Sequence, residues 1–221
     1  MEKEKLTYSE MYEKLGFRLM NHGYSALRLT DKLRPSIKGF PNEETANGVL
    51  LYCYIDHEAG ITFEIMAAGN VRENGKGFDF ENILECADNE IRSFIRFEAI
   101  ADEEYIGLQV NEDLCNELFA KKLEVIEMYE PSEDIAETRE MDFLDGSRDP
   151  IYVDDILVLF VKDGLENETI WVRLEGVGDN VILGSLLNEP YQDFGCHLGD
   201  TVSIYIHKTE DDQFIPYVHY D

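Results

Sequence analysis

Two hydrophobic rhythms divide the chain. Up to about residue 130, helical and strand spacings alternate; after residue 150 only strand alternation remains. Thr7-Tyr8-Ser9-Glu10 reads as a capping box, with Thr7 bonding forward and Glu10 reaching back. Behind it Met11, Leu15, Arg18 and Leu19 recur at helical spacing, which predicts a helix over 8–21 ended by Asn21-His22-Gly23. Val49 to Asp56 is apolar on both faces, as a central covered strand is. Ile61, Phe63 and Ile65 alternate with Thr62 and Glu64, the pattern of a half-buried strand, so the two strands read as a hairpin turning at 56–60.

Asp79 can cap a helix over 80–95, with Ile83, Leu84, Ala87, Ile91, Phe94 and Ile95 as its stripe. A strand over 105–110 follows. Asn111 then caps a helix with Glu112 and Asp113 in its first turn and Lys121 and Lys122 in its last, matching the helix dipole at both ends. From Glu130 to Pro150 large apolar residues are few, which predicts an acidic linker over 131–150 with one short helix near 133–140. Strands are predicted at 156–162, 168–175, 180–187, 201–207 and 213–218, with Gly178-Asp179-Asn180 as a tight turn. The expected fold class is α+β. An α+β domain over 1–130 precedes a small, mostly antiparallel β domain over 151–221, barrel-like or a bent sheet.

Charge narrows the function classes. The 221 residues hold 19 Lys/Arg and 47 Asp/Glu, a net charge of -28. Residues 1–38 are nevertheless net positive, with eight bases against five acids, whereas 98–155 holds nineteen acids and four bases. Such a field repels phosphate and anionic lipid, so neither nucleic acid nor membrane is an expected partner; a basic protein is. At 44% hydrophobic residues, acidity does not imply disorder. No apolar run reaches bilayer length and Met1-Glu2-Lys3-Glu4-Lys5 has no apolar h-region, so the cytoplasm is the expected location. Cys53, Cys86, Cys115 and Cys196 stand far apart, as free buried thiols do in a reducing compartment.

One segment has a distinctive texture: Ile170-Trp171-Val172-Arg173-Leu174, then Gly184-Ser185-Leu186-Leu187-Asn188-Glu189-Pro190, then Leu198-Gly199-Asp200-Thr201-Val202. It resembles a family of uncharacterised bacterial domains with a Trp-Val strand, a Gly-x-Leu-x-Asn-x-Pro segment and a Gly-Asp-x-Val strand entry. Some members of that family are suspected of acting in toxin immunity. The resemblance covers about 150–221 and carries no catalytic residues with it. The same residues also have structural readings. Gly199-Asp200 suits a turn into a strand, and Asn188-Glu189-Pro190 turns the chain.

Candidate chemistry is sparse. Cys196, His197, His207 and His219 gather late in the chain, but their spacing fits no zinc pattern. The pairs Asp154-Asp155 and Asp211-Asp212 point to opposite faces of a strand, so they read as solvated acids and no metal is expected. Gly184-Ser185-Leu186 is not a nucleophile elbow, and the glycine-rich loop 69–77 lacks the phosphate-loop spacing. No cofactor is expected, and catalysis is the reading with least behind it. If Ile170, Val172 and Leu174 face the core, Trp171 and Arg173 point outward, a pairing typical of binding hot spots unless another part of the protein covers it. Glu133, Asp134, Glu137 and Glu140 are the acids best placed to meet a basic partner. The function expected is therefore a non-catalytic acidic interaction protein, with the immunity type as what the resemblance implies. The alternative is a small-molecule-binding or regulatory module with a ligand held between the two domains.

Overall fold

The capping box at Thr7 opens the first helix of the structure, a computed structural model that describes residues 5–72, 77–79 and 90–220. The Glu10 amide donates to Thr7 Oγ1 at 3.2 Å, and the Thr7 amide donates to Glu10 Oε2 at 2.8 Å. Helix α1 runs Tyr8–Met20. The fold is α+β, and the chain divides into two units, Met1–Glu130 and Pro131–Asp221.

The first unit is built on an antiparallel sheet. Strands β1 (Tyr24–Arg28), β2 (Gly48–Asp56), β3 (Gly60–Gly69), β4 (Phe94–Arg96) and β5 (Ile106–Gly107) lie in the order β4-β3-β2-β1-β5. The predicted β2–β3 hairpin is present. Asp56 Oδ1 shapes its turn by accepting from the amides of Glu58 and Ala59 at 3.0 and 3.1 Å. Tyr8, on α1, packs edge-on against Phe63 and Tyr105, and its hydroxyl meets Ser25 Oγ at 3.0 Å. Another apolar cluster joins Ala26, Leu50, Met66 and Ala67 to Cys115 and Phe119. Burying each large side chain of this kind is worth about 1.5–3 kcal/mol.

Four expectations for this unit change. The strand over 61–65 is not half-buried: every residue of β3 is buried, Thr62 and Glu64 included. Glu64 tolerates this because Arg92 forks onto it, Nε to Oε1 at 2.7 Å and Nη2 to Oε2 at 2.9 Å. The predicted helix over 80–95 fails at its C-terminal end, where Phe94–Arg96 form β4; residues 80–89 lie outside the described residues, as does Cys86. Sheet pairing to β3 overrides the helical spacing of Phe94 and Ile95. The strand predicted over 105–110 shortens to β5. Helix α2 (Phe97–Ile100) precedes it.

The helix read from Asn111 onward is two helices, α3 (Glu112–Leu118) and α4 (Ala120–Ile126), broken at buried Phe119. The cap holds, with the Leu114 amide donating to Asn111 Oδ1 at 3.1 Å. Lys121 and Lys122, however, open α4 and complete no dipole. Lys122 is fully buried, donates to the Ile65 carbonyl at 2.6 Å and lies 4.6 Å from the centre of the Phe40 ring.

The second unit is a closed barrel of β6 (Asp155–Lys162), β7 (Glu168–Gly178), β8 (Val181–Leu186), β9 (Thr201–Lys208) and β10 (Phe214–Tyr220). Consecutive strands are antiparallel from β6 to β9 and on to β10. Five alternating strands leave the first and last running the same way, so closure between β6 and β10 is parallel. Strand alternation fills the barrel as read from the sequence: Val158, Phe160, Ile170, Val172, Leu174 and Ile204 are fully buried. Asn180, at φ 61°, makes the β7–β8 turn.

Residues 131–150, expected as a linker, are part of this unit. They form α5 (Glu133–Glu140), packed on β7, and a 3-10 helix, Asp142–Ser147, whose Leu144 enters the barrel core. Met141 and Phe143 pack against the same core, and the buried Arg139 and Arg148 add polar attachment.

Candidate partner-binding surface

Helix α5 starts at Ser132, whose Oγ accepts from the Ile135 amide at 3.3 Å, and carries Glu133 and Asp134 in its first turn, where the dipole favours acids. Helical spacing turns Thr138 and Arg139 inward and leaves Glu133, Asp134, Glu137 and Glu140 exposed. The helix approaches β7 closely where the strand bulges between Leu174 and Gly176. Gly176 has φ 152°, and a Cβ there would lie 2.8 Å from the Cβ of Asp134, so only glycine admits the helix at this point.

The second unit contains 21 acids and five bases, Arg139, Arg148, Lys162, Arg173 and Lys208. Each base has a partner within the unit. Arg139 forks onto Asp154, Nε to Oδ1 at 2.9 Å and Nη2 to Oδ2 at 2.6 Å. Arg148 donates to the carbonyls of Thr138 and Val153 and meets Asp145 at 3.1 Å. Arg173 forks onto Asp155 at 2.7 and 3.0 Å. Lys162 donates to the carbonyls of Asp193 and Phe194 at 3.1 and 3.2 Å, and Lys208 pairs with Asp212 at 2.7 Å.

This arrangement corrects the reading of Asp154-Asp155 as solvated acids: both are buried ion-pair partners. Burial pushes the Asp155 carboxyl up from its ordinary value, against the pull of Arg173. Asp211 and Asp212 do lie exposed. Trp171 and Arg173 face outward from β7, as parity required, and both are half-buried. Their side chains do not act as a free pair, because the Arg173 guanidinium is held by Asp155. Trp171 stands in register with Leu157 of β6, which is 38% exposed.

Beside α5 lies a groove of about 490 Å³, whose walls include Glu137, Phe143, Val181, Tyr205, Ile206 and Tyr217. Tyr205 is 45% exposed because it alternates with buried Ile204 on β9, and Tyr217 is its register partner on β10, with ring centroids 5.9 Å apart. Phe143 packs against Phe214 at 5.3 Å. The sequence reading found Glu137 but missed the aromatic wall; the signal was the outward parity of Tyr205.

The first unit has a groove of about 590 Å³ of its own, with Tyr52, Leu123 and Ile126 on its apolar side and Glu124, Glu127 and Glu130 among its acids. His22 Nε2 pairs with Glu130 there at 3.1 Å, and burial pushes the Tyr52 hydroxyl up to about 12.

The motif segment is a mutually bonded unit. The Trp171 amide donates to Asn188 Oδ1 at 3.0 Å, and the Leu187 amide returns a bond to the Trp171 carbonyl at 2.9 Å. Glu189 accepts from the Leu198 amide and meets His197 Nδ1, at 2.8 and 2.7 Å. The Asn188 side chain thus joins two parts of the barrel, in addition to any turn role. Cys196 is buried, whereas His197, His207 and His219 are exposed. Among the described residues no three His, Cys, Asp or Glu converge as a metal site, and no helix is long and apolar enough to cross a membrane.

Comparison with protein-family models, curated proteins and solved structures gives no match to this chain.

Proposed function

We propose that the protein is a non-catalytic, acidic interaction protein that binds a basic protein partner. One observation carries this reading: all five cations of the second unit are committed inside it, while Glu133, Asp134, Glu137 and Glu140 stand exposed on one helix. A surface whose acids have been left uncompensated attracts a positive partner and steers its approach. The likeness of residues 170–202 to bacterial domains suspected in toxin immunity makes a basic secreted toxin the first partner class to test.

The test is association kinetics with such a partner. Reversing Glu133, Asp134, Glu137 and Glu140 to Lys should slow association at least about tenfold at low salt and flatten its salt dependence, with an unchanged fold. An unchanged association rate would remove the basis for the proposal.

The second reading, a small-molecule-binding or regulatory module, is favoured by the groove of the first unit. Its volume of about 590 Å³ and its mixed apolar and acidic walls suit a small cationic ligand.

A further inference from the structure

We infer that the groove beside α5 receives an arginine or lysine side chain from a basic segment of the partner. This rests on the reading above and deepens it by naming the contact. Three features of the groove select that chemistry. Tyr205 and Tyr217 line the groove with ring centroids 5.9 Å apart, and a guanidinium or ammonium over such a ring is attracted by its quadrupole. Val181 and Ile206 offer apolar surface for the aliphatic stem of the same side chain. Glu137, on the groove wall, supplies the opposing charge.

The acids continue past the groove. Glu133, Glu137 and Glu140 follow one another at i, i+4 and i+7 on α5 and therefore lie along one face for about 10 Å. One bound cation needs only Glu137; the remaining acids fit a segment with further basic residues on either side. The occupant is thus a stretch of protein chain, with one cation seated among the aromatic rings and its neighbours along the helix. All five cations of the unit are engaged elsewhere, so none competes for this place.

The experiment uses the full chain and a blocked decapeptide of alternating arginine and glycine, with propylguanidine as a single-cation control. Amide chemical-shift changes are followed in the wild type, and affinity is measured for Tyr205→Ala, Tyr205→Phe and the double variant Glu133→Gln/Glu140→Gln. Peptide-induced shifts should centre on β9, β10 and the end of α5. Tyr205→Ala should weaken peptide binding about three- to fivefold while Tyr205→Phe, which keeps the ring face, retains it. Propylguanidine should bind far more weakly than the peptide.

If the double glutamine variant weakens binding but Tyr205→Ala does not, the groove contact is overturned and the acidic-surface reading survives. Absence of peptide binding to the wild type overturns both. Propylguanidine binding as tightly as the peptide overturns the choice of a protein segment. The shift map in the unaltered protein decides the location even if Tyr205→Ala disturbs the fold. Shifts lying wholly outside β9, β10 and α5 would place the contact elsewhere.

Discussion

Both units bury charge, but with opposite consequences for their surfaces. In the first unit, Glu64 and Lys122 are fully buried among sheet and helix, while Lys14, Lys32, Arg34 and Lys38 remain exposed, so its outer surface carries both signs. In the second, Arg139 and Arg148 are drawn inside and Lys162, Arg173 and Lys208 are held by neighbours, so the exposed side is left almost entirely negative. Net charge alone does not distinguish these cases. What differs is where the cations go. A buried arginine attaches α5 to the barrel and, by the same bond, takes one positive charge off the surface.

The sharpest way to break this comparison is Arg139→Met. Its partner Asp154 would remain buried without its counter-charge, and loss of one member of such a pair typically costs about 3–5 kcal/mol. The double variant Arg139→Met/Asp154→Leu should recover most of that loss. Trp171 is the only tryptophan and lies in the barrel, so its emission during urea unfolding reads this unit directly. Equal stability of the single variant and the wild type would show that α5 is held by packing alone.

The matching change in the first unit is Glu64→Met, and its effect should be smaller, about 1–2 kcal/mol. Glu64 is fully buried, but the Arg92 side chain is 30% exposed and can turn its guanidinium to water once the carboxylate is gone. Amide exchange along β2 and β3 measures it. A loss as large as that of Arg139→Met would erase the distinction between the two buried pairs.

The smallest effect belongs to the loop that joins β8 to β9. Glu189 is held below its ordinary 4.5, first by the Leu198 amide and then by His197, and donating a hydrogen bond to the Glu189 carboxylate raises His197 above its ordinary 6.5. A raised histidine stabilises the folded loop below pH 6.5, and that contribution disappears as pH rises through the raised value. A lowered carboxylate contributes above pH 4.5 and loses its contribution as pH falls through the lowered value. Amide exchange over 187–200 should therefore be most protected, relative to the rest of the barrel, between pH 4.5 and 6.5. Glu189→Gln should remove the maximum. Because both side chains are solvent-exposed, the change should stay within this loop.

The four acids of α5 were legible in the sequence because helical period and Ser132 capping are local properties, and the outward direction of Trp171 followed from strand parity alone. The groove was not legible as a whole. It needs Glu137 from α5, Phe143 from the 3-10 helix and Tyr205 and Tyr217 from β9 and β10, and no local pattern states that these elements meet.

By itself the sequence determined the α+β class, the barrel strands and their inward faces, and the excess of acid, since each depends on spacing or composition within a few residues. Tertiary structure alone decided that Phe94 and Ile95 join a sheet, that 131–150 docks on the barrel, and that Asp154, Asp155, Glu64 and Lys122 are buried. The reason is physical. A charged residue goes inside only when a partner meets it there, and that partner can be distant in sequence, as Arg139 meets Asp154 fifteen positions away and Arg92 meets Glu64 twenty-eight positions away.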